Sequence, residues 1–169
     1  SLQNVHLVLA VDRAGIVGED GETHQGVFDT AFLEAIPNVT VFSPSYYDDL
    51  RLDLKKALYE CSGVAVVRYP RGRQFFRPHD YWPGRLFYTA AEAAGSSQII
   101  LVSYGRLFAF TYEACDALRA EGFDVSCVRL DPILPLSTET VKRIALSHEI
   151  FFFEEGMEAG GVGEHLNLL

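Results

Sequence analysis

VHLVLAVDRAGIVGEDGETHQGVFDTAFLEAI, residues 5–36, is the stretch whose reading decides the fold. Val5 to Val11 is apolar apart from His6 and shows no polar alternation, which is the pattern of a parallel strand buried on both faces. Val27, Phe28, Ala31, Phe32, Ala35 and Ile36 recur at helical spacing and form one apolar stripe. Between these two elements, Asp12 to Gly26 contains four glycines (Gly15, Gly18, Gly21 and Gly26), one arginine, four carboxylates and His24. A loop of that length inside a compact fold is either functional or disordered. The well-marked strand and helix on either side argue for function.

Working outward, Pro37 and Asn38 end the helix, and Val39 to Phe42 reads as a second strand. Ser45 is placed to cap the next helix, whose positive end suits Asp48 and Asp49. Its expected apolar face is Leu50, Leu54, Ala57, Leu58 and Cys61. Gly63 to Tyr69 is a third strand running into Pro70-Arg71-Gly72. Strand and helix in alternation imply a parallel α/β sheet.

From Arg73 to Pro83 periodicity fails, so this stretch reads as a linker held by its aromatics Phe75, Phe76, Tyr81 and Trp82. Beyond it, strands are expected at 98–103, 125–130 and 150–153. A helix is expected over 107–121, with Phe110, Ala114, Ala117 and Leu118 inward, and another over 137–147. Glu154 and Glu155 then lead into a glycine-rich turn, Gly156 to Gly163, before a last helix. The chain starts without methionine, almost on a buried-type strand, and stops a turn or two into a helix. Three strands per half would leave long edges exposed, so a portion of a larger protein is expected.

With 169 residues and 49% apolar composition the chain has ample material for a core. No apolar run reaches the roughly 18 residues that span a bilayer, and no leader pattern opens the chain, so a cytoplasmic protein without membrane partners is expected. Cys61, Cys115 and Cys127 stand far apart, an odd set that suggests neither a disulfide framework nor a zinc site. A net charge of −9 speaks against nucleic acid as a partner. Yet eleven of the fourteen basic residues are arginine, and Arg68, Arg71, Arg73, Arg77 and Arg85 share an 18-residue stretch with a single acid, Asp80. Arginine's rigid fork of donors suits phosphate or carboxylate, so either a small anionic ligand or a solvated linker accounts for the cluster.

Ligands of parallel α/β sheets bind beyond the carboxyl ends of the strands. Asp12 and Arg13 stand at the end of the first expected strand, Ser43 at the second and Arg71 just past the third. Arg13 and Arg71 suit bidentate phosphate binding; the plainer alternative is that each pairs with a carboxylate such as Asp12. Asp20, Glu22 and His24 have metal-ligand chemistry but lack the spacing of a strong metal motif. As an acid and base, Asp20 and His24 suit proton transfer near neutral pH, although a lone loop histidine is often only a hydrogen-bonding residue. Tyr104-Gly105-Arg106 is a weak phosphate-loop signal that a tight turn also explains. No G-x-S-x-G elbow or C-x-x-C motif is present.

DRAGIVGEDGETHQG, then IPNVTVFSPS, then VVRYPRG, resemble the 1-deoxy-D-xylulose-5-phosphate synthases, thiamine-diphosphate enzymes of the transketolase superfamily. In the second half, Ser103 to Arg106, Asp131-Pro132-Ile133-Leu134-Pro135-Leu136 and Glu154-Glu155 before glycines are similar to the same family. The resemblance covers essentially the whole chain and is stronger before Gly72. It implies an α/β architecture in which residues 1–78 form the latter part of a parallel-sheet pyrimidine-binding domain. Residues 79–84 would be a linker, and 85–169 the first part of a transketolase C-terminal domain.

The resemblance further implies a synthase joining pyruvate to glyceraldehyde 3-phosphate with loss of carbon dioxide, making a precursor of isoprenoids, thiamine and pyridoxal. By the matching positions, Arg13 and Arg71 would bind the substrate phosphate, while Asp20 and His24 would line the pocket and handle protons. The intact enzyme would use thiamine diphosphate and Mg2+. The family's cofactor-activating glutamate and its metal motif do not occur in these residues, so the chain alone is expected to be inactive and to need a second copy or further protein. Another transketolase-like or 2-oxo acid dehydrogenase β-type enzyme, or a non-catalytic assembly module, are the alternatives.

Overall fold

The structure, a computed structural model, describes residues 3, 5–88 and 97–169. The first half is a three-stranded parallel sheet of β1 (Leu7–Val11), β2 (Val39–Phe42) and β3 (Val64–Arg68), in the order β1-β3-β2. Helices α1 (Asp29–Glu34) and α2 (Tyr47–Tyr59) make the crossovers. In register, Val11 lies beside Arg68 and Phe42 beside Val67, so the loops leaving all three strands emerge on one side.

The second half is a four-stranded sheet, β4-β6-β5-β7, made of β4 (Phe87–Tyr88), β5 (Ile99–Tyr104), β6 (Val125–Leu130) and β7 (Glu149–Phe153). Its strands β5, β6 and β7 are parallel, with α3 (Leu107–Ala120) and α4 (Thr138–Ile144) between them, and α5 (Val162–Leu168) follows. The two-residue β4 pairs antiparallel with β6. It is too short to leave a periodic signature, and the sequence reading omitted it.

The two sheets share one core. Val41 of β2 donates its N–H to Leu134 O at 2.7 Å, and Ile133 N–H returns to Val41 O at 2.8 Å. The segment after β6, which contains cis bonds at Asp131-Pro132 and Leu134-Pro135, thus covers the outer edge of β2. Ile133, Leu134, Val128, Val102 and Tyr104 pack in one cluster with Val41, Val66 and Leu33.

Several faces differ from the sequence expectation. β1 is an edge strand, and Leu7 and Leu9 are exposed, so its continuous apolar run is not covered on both faces among the described residues. On α1, Thr30 and Leu33 face inward while Phe28 and Phe32 are 56% and 55% exposed. Helix α2 does pack Leu50, Leu54, Ala57 and Cys61 on the first sheet, but Leu58 is exposed, and Asp49 and Asp53 are buried instead. Helix α3 buries Phe108, Ala109, Tyr112 and Cys115, leaving Phe110 exposed against Phe75. Ser45 does not cap α2; Asp49 Oδ2 accepts from Tyr46 N–H at 3.2 Å, and Ser45 Oγ is buried without a partner.

The buried acids of α2 meet the second sheet through Arg129. This fully buried side chain lies 3.3 Å from Asp49 Oδ1 and 3.1 Å from Asp131 Oδ2, and its Nε donates to Arg85 O at 3.1 Å. Tyr81 O–H donates to Asp49 Oδ1 at 3.1 Å, and Asp131 Oδ1 accepts from Ser43 N–H at 3.2 Å. An isolated buried charge is costly, and one that is paired and hydrogen-bonded is tolerated. This network therefore fixes which faces of the two halves meet.

Candidate active site

The loop from Asp12 to Gly26 is tied at both ends. Ala14 N–H donates to Tyr69 O at 3.0 Å, next to β3. Gly26 N–H reaches Gly15 O at 2.9 Å, and Gly15 N–H returns to Gly26 O at 3.2 Å. A Cβ on Gly26 would stand 2.4 Å from Arg13 O, so only glycine lets the two ends close. The single 3-10 turn Glu22–His24 lies within the loop. Gln25 holds the middle: its Oε1 accepts from Val17 N–H at 2.6 Å, and its amide donates to Val17 O and Gly21 O, both at 2.7 Å.

Under the loop, Arg68 at the end of β3 is buried. Its Nε donates to Asp29 Oδ2 at 3.0 Å and its Nη2 to Gly26 O. From the second half, Arg106 Nε donates to Glu155 Oε2 at 2.7 Å, and Arg106 Nη2 also reaches Ile16 O. The partnership with Glu155 raises the Arg106 pKa further. Gly15, at φ 80°, passes so close to Glu155 that a Cβ there would collide with the carboxylate. Glu154 accepts from Tyr104 O–H at 2.8 Å and from Val162 and Gly163 N–H, each at 3.2 Å. Burial, with Glu154 alongside, pushes the Tyr104 phenol upward. The carboxyl ends of both sheets thus converge on this loop.

Arg13 and Arg71 come together on one group, and that group is Asp20. Arg13 Nε donates to Asp20 Oδ2 at 2.6 Å, while Arg71 Nη1 pairs with Asp20 Oδ1. Arg13, with φ 60°, also meets Asp12, and Arg71 Nη2 stands 3.6 Å from Glu19 Oε2. The Asp20 side chain is 13% exposed, so the two guanidinium groups enclose it. Carboxylate pairing, the plainer of the two expectations, is the arrangement found. Both arginines thus meet one carboxylate.

His24 is exposed on the same loop, with Nδ1 2.9 Å from Thr23 Oγ1. The arginines hold Asp20; His24 reaches Thr23 instead. Among the described residues, no group of three His, Cys, Asp or Glu side chains is placed to hold a metal ion. The five-arginine stretch does not form one anion site: Arg68, Arg77 and Arg85 pair with Asp29, Asp48 and Asp80, and Arg71 turns to Asp20. Sequence reasoning overlooked Gln25, Arg68 and the Arg106–Glu155 pair as loop anchors. The strand-end position of Arg68 and the polar pair after β5 and β7 were the available signals.

Residues 1–74 match the family model described as "Transketolase, pyrimidine binding domain", and residues 89–169 match "Transketolase, C-terminal domain". A protein of Chlorobium luteolum called 1-deoxy-D-xylulose-5-phosphate synthase is 39% identical over 96% of this chain and 26% of its own length. A Carboxydothermus hydrogenoformans protein of the same name is 36% identical over 98% of this chain and 27% of its own. The chain therefore spans about a quarter of the length of these relatives. Among solved structures, a split-gene transketolase in an inactive beta4 tetramer superposes with a TM-score of 0.78 at 26% identity, over 99% of this chain and 54% of its own. Transketolase of Pichia stipitis shares the fold at a TM-score of 0.67. Two consecutive transketolase domains, on a chain whose curated relatives carry the synthase name, place this protein in the transketolase superfamily, beside the 1-deoxy-D-xylulose-5-phosphate synthases.

Proposed function

We propose that this chain forms the acceptor-binding wall of a synthase that condenses pyruvate with glyceraldehyde 3-phosphate to give 1-deoxy-D-xylulose 5-phosphate and CO2. The observation that carries the reading is the joint grip of Arg13 and Arg71 on one oxyanion group, Asp20. A substrate phosphate offers the same forks more oxygens and more charge than a carboxylate. It would displace Asp20 and take its place between the arginines.

In the condensation, the bond from the pyruvate carboxylate to its carbonyl carbon breaks and CO2 leaves. A bond to the acceptor's aldehyde carbon forms, and the new alkoxide takes up one proton. A proton donor at the acceptor end is therefore required, and His24 is the residue assigned to it. Nδ1 lies 2.9 Å from Thr23 Oγ1, so the transfer is assigned to Nε2. Asp20, once released by the arginines, supplies a carboxylate four residues from His24 on the same anchored loop.

The carbanion chemistry belongs to thiamine diphosphate in this class. The described residues fit the acceptor end of such a site and offer no acidic cradle for Mg2+, so no step is assigned through either group. Both groups would belong to the intact enzyme, a cytoplasmic assembly that includes a second copy or another part of the protein. The exposed stripe of Phe28, Phe32 and Ile36 and the open edge of β1 support such an assembly. No described helix is long and apolar enough to cross a membrane.

The test is an assay of the intact assembly with pyruvate and labelled glyceraldehyde 3-phosphate. Formation of 1-deoxy-D-xylulose 5-phosphate with stoichiometric CO2 is expected. Turnover only with a different acceptor, or with none, would refute the assignment.

A further inference from the structure

A second cleft opens where β2 and β3 run into their following loops, on residues to which the proposed acceptor chemistry gives no role. Its cavity volume is about 280 Å³, at the lower edge of the range typical of small-molecule sites. Tyr46, Tyr47 and Tyr69 supply aromatic faces and Leu50 an aliphatic one, while Arg73 and Gln74 supply polar groups. Three features restrict what fits.

The lining contains no acid, in a protein of net charge −9, and its one cation is the exposed Arg73. The acids closest in sequence are engaged elsewhere: Asp48 with Arg77 at 2.7 Å, and Asp49 with Tyr46 N–H, Tyr81 and Arg129. Ser45 is 7% exposed and its Oγ has no hydrogen-bond partner, a condition that a buried hydroxyl normally avoids. Gln74, also in the lining, uses its Oε1 on Tyr47 N–H at 3.0 Å, which keeps its amide NH2 for another acceptor.

From these features we infer that this cleft is a binding site for a flat aromatic molecule carrying one anionic group, carboxylate or phosphate. The ring stacks among the tyrosines, and the anion meets Arg73 and the Gln74 amide. Aromatic stacking combined with a guanidinium contact is a physically sufficient basis for recognition. The inference is independent of the acceptor reading, because Arg13 and Asp20 are absent from the lining and Arg71 points to Asp20.

Saturation-transfer NMR and calorimetry on the full-length protein, with benzoate and phenyl phosphate as probes, test it. Benzyl alcohol lacks the charge, and inorganic phosphate lacks the ring. Saturable binding of at least one aryl anion is expected, tighter than either control. Arg73→Gln should weaken it about tenfold, and Tyr47→Ala should weaken it as well. Both substituted cleft residues are exposed, so the variants keep the fold. Absence of aryl-anion binding, or indifference to Arg73→Gln, overturns the inference; a preference between the two probes identifies which anion the cleft takes.

Discussion

Asp20 accepts a hydrogen bond from Arg13 at 2.6 Å while its other carboxylate oxygen is held by Arg71. The loop thus places an internal anion in the grip that the proposed phosphate needs. Asp20→Asn removes that competing charge. Inorganic phosphate should then bind several-fold more tightly, because a neutral amide gives up the charge-assisted part of the contact. Calorimetric titration of phosphate into the two proteins measures this, and equal or weaker binding by the variant would show that Asp20 is not in competition for the arginines.

Gln25 makes three hydrogen bonds across the loop, to Val17 N–H, Val17 O and Gly21 O. Gln25→Ala leaves these backbone groups to find water, at about 1–3 kcal/mol. Global unfolding should lose no more than that amount, because the loop lies outside the shared core. Limited proteolysis between Val17 and Gly21 should speed up markedly, and an unchanged cleavage pattern would deny Gln25 this role.

Arg129 holds Asp49 and Asp131 in a fully buried junction. Truncation to Arg129→Ala strands two carboxylates without their cation, a change that costs about 3–5 kcal/mol where such pairs have been broken. Denaturant unfolding of the variant should show a loss of that order. A loss below about 1 kcal/mol would mean that the junction is not held by this charge pairing.

Asp53 sits in the same junction, with both carboxylate oxygens buried and without a hydrogen-bond partner. Burial, with the Asp131 carboxylate next to it, raises its pKa from the ordinary 3.8 to about 9; Lys56 and Arg129 oppose the shift. Between these two values the unfolded chain has released the proton and the folded chain retains it. This group's contribution to stability is therefore full at acid pH and declines as pH rises toward 9. Asp53→Asn mimics the protonated form, so its melting temperature should exceed that of the parent by several degrees at pH 8.5 and converge with it near pH 4. A constant difference across that range would remove Asp53 as the source.

Strand and helix order was legible because apolar runs and helical spacing are local signals, and β2 and β6 occupy the spans that periodicity predicts, Val39–Phe42 and Val125–Leu130. Which face each helix buries was less legible. Asp49 and Asp53 look like solvent-side acids until Arg129 is placed opposite them from some 80 residues along the chain. Likewise Phe28 and Phe32 look like core, and the described residues leave them uncovered. At the site, the loop and its ionisable residues could be recognised from sequence. That Asp20 would occupy the space between the arginines could not, because it depends on how the loop closes through Gly26, Gln25 and Arg68.

The most direct test of the central claim, that Arg13 and Arg71 together hold the acceptor's phosphate, is steady-state kinetics of Arg71→Ala in the intact enzyme. Losing one guanidinium fork should raise KM for glyceraldehyde 3-phosphate by about 10- to 100-fold. KM for pyruvate should stay within about twofold, and the preference for the phosphorylated acceptor over glyceraldehyde should fall in proportion. An unchanged KM for glyceraldehyde 3-phosphate, or an equal rise for both substrates, would contradict the account.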